Sequence, residues 1–165
     1  MWTLRIAAIV TVAAAIAVWL AQGHIIERYI GMPISGFGLF LIAHPVTKIG
    51  MMLLFLMGGL VVMASLIGLF LRPSQKDVRK LTAFEIAISI SALAAIGLGA
   101  LVAGYTEMGI RMAINEVGPV RFEIIAPQKL EQLFTLSLAL WPAAIAFGVL
   151  LITRAIRARK RLATA

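Results

Sequence analysis

Four long runs of apolar residues, broken by shorter polar stretches, set the pattern of this chain: about 4–22, 45–71, 81–105 and 127–153. Each run is apolar on every side rather than along one stripe. Each also has the roughly 20 residues that a helix needs to cross a bilayer. The pattern predicts an all-α integral membrane protein with four transmembrane helices in a single domain, residues 1–165. The third run holds the most regular feature. In residues 87–103 a small side chain recurs at every fourth position, Ala87, Ser91, Ala95, Gly99 and Ala103, a spacing that predicts one helix-packing face. In lipid, close backbone approach is a main source of helix association. The ladder therefore reads as a seam, either within the bundle or between protomers.

The ends of the runs are marked by familiar signals. Trp2 and Trp19 suit the two interfaces of the first span. A cleavable signal peptide is the rival reading of this span, but Trp19 lies close to a cut after Ala21 and no small-x-small pattern precedes it. The expectation is an uncleaved span. The loop that follows holds Glu27, Arg28, Tyr29, Pro33 and four glycines. Residues 36–43 are apolar but too short to span. Pro45 suits the first position of a helix, where its missing N–H costs nothing, and Lys48 is expected to snorkel to the surface. Gly58–Gly59 and the pair Ala64 and Gly68 offer close packing in the second span.

Residues 72–80 form a short basic loop. Residues 106–129 read as a longer polar segment. Within it, 108–117 has loose helical spacing and 120–124 alternates like a short strand. Pro127 is expected to open the fourth span, and Pro142 to kink it by denying a donor to the Leu138 carbonyl.

Composition sharpens this picture. Apolar residues make up 62% of the 165 and charged residues only 13%, too little polar surface for a soluble domain. The net charge of +8 would suggest nucleic acid in a soluble protein. Here it sorts by topology. The side carrying both termini and the 72–80 loop holds ten basic and two acidic residues, whereas the other side holds five of each. The positive-inside rule then puts both termini in the cytoplasm. The basic tail, RAIRARKRL, anchors that orientation or meets anionic lipid headgroups or an acidic partner. Cysteine is absent, which excludes disulfides, thiolate metal sites and cysteine nucleophiles.

Ionisable groups inside a span are costly and often functional. Glu85, one turn into the third span, is either an interfacial acid near Arg79 and Lys80 or part of an ion path. Glu131 stabilises the start of the fourth helix or lines the same path with Thr135. Ser137 lies further along, and hydroxyls of this kind commonly bond back to their own helix. His24 and His44 fall near span ends rather than facing inside the bundle, which argues against a b-type haem, and His44 suits a helix cap. No phosphate loop, catalytic triad or carboxylate–histidine cluster appears. No enzyme activity and no cofactor are expected.

Two motifs in the second half carry a resemblance. GLGALVAG at 97–104 keeps Gly97, Leu98, Val102 and Gly104 of a GLxGTVWG-type motif, and APQKLEQL at 126–133 keeps Ala126, Pro127, Glu131 and Leu133 of an AP-x-x-x-E-x-L motif. In these motifs and their separation, residues 82–153 resemble the MotA/TolQ/ExbB family of ion-driven motor subunits. The resemblance implies a homo-oligomeric ring around a smaller partner helix, with the ladder facing a neighbouring protomer and Glu131 at the outer mouth of a channel. Leu101 and Leu136 stand where the family has threonines, and the family's large cytoplasmic region is reduced to the 72–80 loop. These departures bear on conduction and on motor coupling. The reading is a non-enzymatic inner-membrane subunit, structural or channel-like, in contact with membrane lipid and with copies of itself or another membrane protein. The alternative is a small four-span subunit of a tripartite carboxylate transporter, to which ERYIGMPIS at 27–35 bears a fainter similarity.

Overall fold

The computed structural model describes residues 2–31, 35–70, 78–118 and 120–163. They form α1 (Trp2–Ile25), a π-helical segment (Ile26–Ile30), α2 (Gly36–Ile42), α3 (Pro45–Phe70), α4 (Val78–Val117) and α5 (Phe122–Ala163). Four stretches, within α1 with the π segment, α3, α4 and α5, are long and apolar enough to cross a membrane. The chain is thus an all-helical protein built for a bilayer. Large apolar side chains such as Ile9, Phe55, Leu60 and Leu101 point outward, as lipid-facing positions do. Most of the basic 72–80 loop lies outside the described residues.

α5 is the centre of the bundle: α1, α3 and α4 all pack along it, and α3 also packs on α4. The helices run antiparallel where the chain turns back. On α4 and α5, Gly99 faces Ala139 and Ala103 faces Gln132. On α3 and α4, Gly50 faces Val102 and Gly68 faces Phe84. α3 and α5 run parallel, with Gly58 against Pro142. Each of these glycines admits a neighbour that a side chain would displace. A methyl at Gly58 would lie 2.7 Å from Pro142 Cγ and 3.6 Å from the Leu138 carbonyl oxygen, the carbonyl that Pro142 leaves without its helix donor.

Pro45 opens α3 as expected, and the His44 ring caps it by accepting the Val46 N–H at 3.3 Å. The polar segment expected at 106–129 is instead mostly helix. α4 continues to Val117, and α5 starts at Phe122 rather than at Pro127. The strand-like alternation at 120–124 gives no strand. The cause lies in packing that continues beyond the apolar runs. Ile110, Ala126 and Leu130 are buried. Glu107 pairs with Arg111 one turn on and with Lys129 across the hairpin. The 40 and 42 residues of α4 and α5 make helices of about 60 Å, twice the thickness of a hydrocarbon core. α4 ends where Gly118 takes φ +88° and donates its N–H to the Ile114 carbonyl at 2.8 Å, a left-handed cap that glycine supplies without steric cost.

Candidate functional site

The ladder divides. Ala95, Gly99 and Ala103 are buried, whereas Ala87 and Ser91 are exposed. Each fourth position on a helix advances 40° around the axis, so five rungs sweep about 160° and cannot share one face. The buried face of α4 follows alternating steps of three and four, Glu85, Ile88, Ala92, Ala95, Gly99 and Val102, the spacing of a helix seam. A methyl at Gly99 would sit 2.5 Å from Ala139 Cβ. The seam at Gly99 is therefore internal to the chain.

The opposite face of α4 carries a second set of small residues. Ala87, Ala94, Gly97 and Gly104 are exposed, with Leu101 among them. A methyl at either Gly97 or Gly104 would meet nothing within 4 Å. These residues fall within about 100° of one another around the helix axis.

The two acids of the expected path lie at opposite ends of the bundle. Glu85, 6% exposed, accepts from Arg154 Nε at 2.8 Å and is paired with Arg157 as well. Its described partners thus come from α5. Glu131 lies at the other end, 23 residues before Arg154, or about 35 Å along α5. Between them the buried side chains of α5 beyond Thr135 are Ala139, Leu140, Ala143, Ala144, Ala146, Phe147 and Leu150. Thr11, Ser65, Thr135 and Thr153 are buried too, but each hydroxyl bonds a carbonyl of its own helix. Among the described residues, no polar path crosses the bundle.

Helix-end stabilisation does not account for Glu131. It is the tenth residue of α5, well past the first turn in which a helix dipole acts. Glu131 is 7% exposed, and its Oε1 has no hydrogen-bond partner. Thr135 donates to the Glu131 main-chain carbonyl at 2.9 Å, not to its carboxyl. Neighbouring polar groups turn toward α4: Gln132 Nε2 donates to the Ala103 carbonyl at 3.2 Å, and Lys129 meets Glu107. Ser137 accepts from Gln22 Nε2 at 2.8 Å, joining α1 to α5.

Thr47 is not among the residues expected from the sequence to form a site. It is 1% exposed, and its Oγ1 also lacks a partner. A threonine two residues after Pro45 falls in the first turn of the helix that this proline opens, where no helical carbonyl lies four residues back. That signal was present in the sequence. His24 and His44 are exposed, with rings near Tyr29 and Tyr105 respectively. No cluster of three metal-ligating side chains exists among the described residues. Comparison with family models, with curated proteins and with solved structures gives no match.

Proposed function

We propose that this chain is a non-enzymatic structural subunit of a larger membrane complex, reached through copies of itself and resembling a reduced MotA/TolQ/ExbB-type subunit. The supporting observation is the uncovered back of α4, where Ala87, Ala94, Gly97 and Gly104 leave room for another helix. Lipid tails gain little from such a face, whereas a second backbone can approach it closely. The apolar interior between Glu85 and Glu131 favours a structural role over conduction through a single chain.

The protein is seated in a bacterial inner membrane with both termini cytoplasmic. The charge asymmetry supports this orientation, with ten basic and two acidic residues on the side of the termini and five of each on the other. A reporter fused after Ala165 that reads as external overturns the orientation.

Native mass of the protein extracted in gentle detergent tests the assembly. Several copies are expected, reduced to one by Gly97→Leu and Gly104→Leu while the monomer stays folded. A monodisperse single copy unaffected by either substitution overturns the reading. A single copy bound to a large many-span protein replaces it with the accessory transporter subunit.

A further inference from the structure

Two buried oxygens at one level of the bundle lack partners, Oε1 of Glu131 and Oγ1 of Thr47. Their shared level follows from the helix register. α3 and α5 are parallel, with Gly58 against Pro142. Eleven residues back along each helix stand Thr47 and Glu131. Both steps cover the same rise and turn each helix by only about 20°. α4 closes the third side. Gly50, three residues beyond Thr47, faces Val102, and the next α4 residue, Ala103, receives the Gln132 side chain beside Glu131.

Neither orphan is an ordinary feature of this molecule. Six other hydroxyls, from Thr11, Ser65, Ser89, Thr106, Thr135 and Thr153, bond a carbonyl of their own helix. Thr47 has no such acceptor, because Ala43, four residues back, has extended backbone with ψ 152°. Surrounding charges do not reach Glu131. Lys129 and Arg111 are held by Glu107, and the His44 ring is engaged with the Val46 N–H and beside Tyr105. Lys48, next to Thr47, makes no ion pair, and Glu27 and Arg28 are exposed. Buried polar atoms are nearly always satisfied, and a buried unpaired charge is neutralised rather than tolerated.

We infer that Glu131 and Thr47 form the two walls of a monovalent-cation site between α3 and α5. The occupant is a sodium ion held by the carboxylate and hydroxyl oxygens, one positive charge against one carboxylate, since oxygen donors suit hard cations. Thr47 lies outside the residues that carry the family resemblance, so the second wall is a property of this chain. All the atoms belong to one protomer, and the site stands independently of the assembly proposed above.

The test uses the full chain in detergent, with wild type beside Glu131→Gln, Thr47→Val and, as control, Thr153→Val. Thermal unfolding is followed during sodium titration against a choline background. Sodium raises the unfolding temperature of wild type and control, has no effect on Glu131→Gln, and acts on Thr47→Val only at about tenfold higher concentration. The site is overturned if sodium has no effect on wild type, or does not distinguish Glu131→Gln and Thr47→Val from the control. Both substitutions preserve shape: Thr47→Val removes the unpartnered hydroxyl, and Glu131→Gln replaces the carboxyl with a neutral amide of the same size, so the variants are expected to fold. Native mass fails or succeeds separately from these readouts.

Discussion

Gly99→Ala is the sharpest probe of the bundle because it adds one methyl at a place of known geometry. The new carbon would stand 2.5 Å from Ala139 Cβ and 3.7 Å from the Thr135 carbonyl oxygen. Non-bonded carbons rest about 3.5–4.0 Å apart, so α4 and α5 must part locally by about 1 Å. Both contacts are close to backbone, and no rotamer change relieves them. Overpacking of this kind costs about 1–3 kcal/mol, partly offset by the better helix propensity of alanine, about 1 kcal/mol. The net expectation is a loss of about 1–2 kcal/mol. Gly109→Ala is the matched control on the same helix, since nothing lies within 4 Å of its new methyl and it lies off the face that carries Gly97 and Gly104, and it is expected to be neutral or slightly stabilising. Reversible unfolding by SDS in mixed micelles, followed by circular dichroism, measures both. Adding Ala139→Gly to Gly99→Ala removes the opposing methyl and is expected to restore most of the loss, a coupling visible in a double-mutant cycle. Equal stability of Gly99→Ala and Gly109→Ala, or additivity with Ala139→Gly, would falsify the internal seam.

Glu85→Gln leaves the Arg154 and Arg157 guanidinium groups without their carboxylate at the end of α5. The expected loss is about 2–4 kcal/mol by thermal unfolding, less than additive with Arg157→Gln. Glu107→Gln breaks pairs whose side chains keep about a quarter or more of their surface in solvent. It is expected to cost less than about 1 kcal/mol, with the difference shrinking in high salt. Gly118→Ala forces a side chain into the left-handed region at φ +88°. A loss of about 1–2 kcal/mol is expected, measured by the same unfolding assay.

The four spans were legible because uniform hydropathy over some 20 residues has few other physical outlets. Pro45 and His44 were legible as a helix start because proline chemistry and a local acceptor act within three residues. The lengths of α4 and α5 were not. Hydropathy marks where lipid ends, but a helix ends where its packing and its caps do. Ile110 and Ala126 continue the seam past the apolar runs, and Gly118, not the polarity of Glu107, stops α4. The ladder failed as a single face for a comparable reason. Small residues at strict fourfold spacing are conspicuous in a sequence, yet the 3.6-residue turn spreads them around the helix. Ala95, Gly99 and Ala103 fall inside, and Ala87 and Ser91 outside.

The acids show how far composition alone reaches. Sequence marks Glu85 and Glu131 equally, as carboxylates near the ends of apolar helices. Tertiary contacts separate them: Glu85 meets two arginines some 70 residues away, whereas Glu131 turns toward an interface with no cation at its Oε1. One is a clamp whose charge is answered within the chain. The other is a buried carboxyl with one oxygen left without a partner. For Thr47 the missing acceptor was legible from its place two residues after Pro45, but not the burial, which comes only when its helix is laid beside its neighbours. A function for Glu131 therefore depends on what satisfies it at that interface, since no described polar chain connects it to the far side of the bundle.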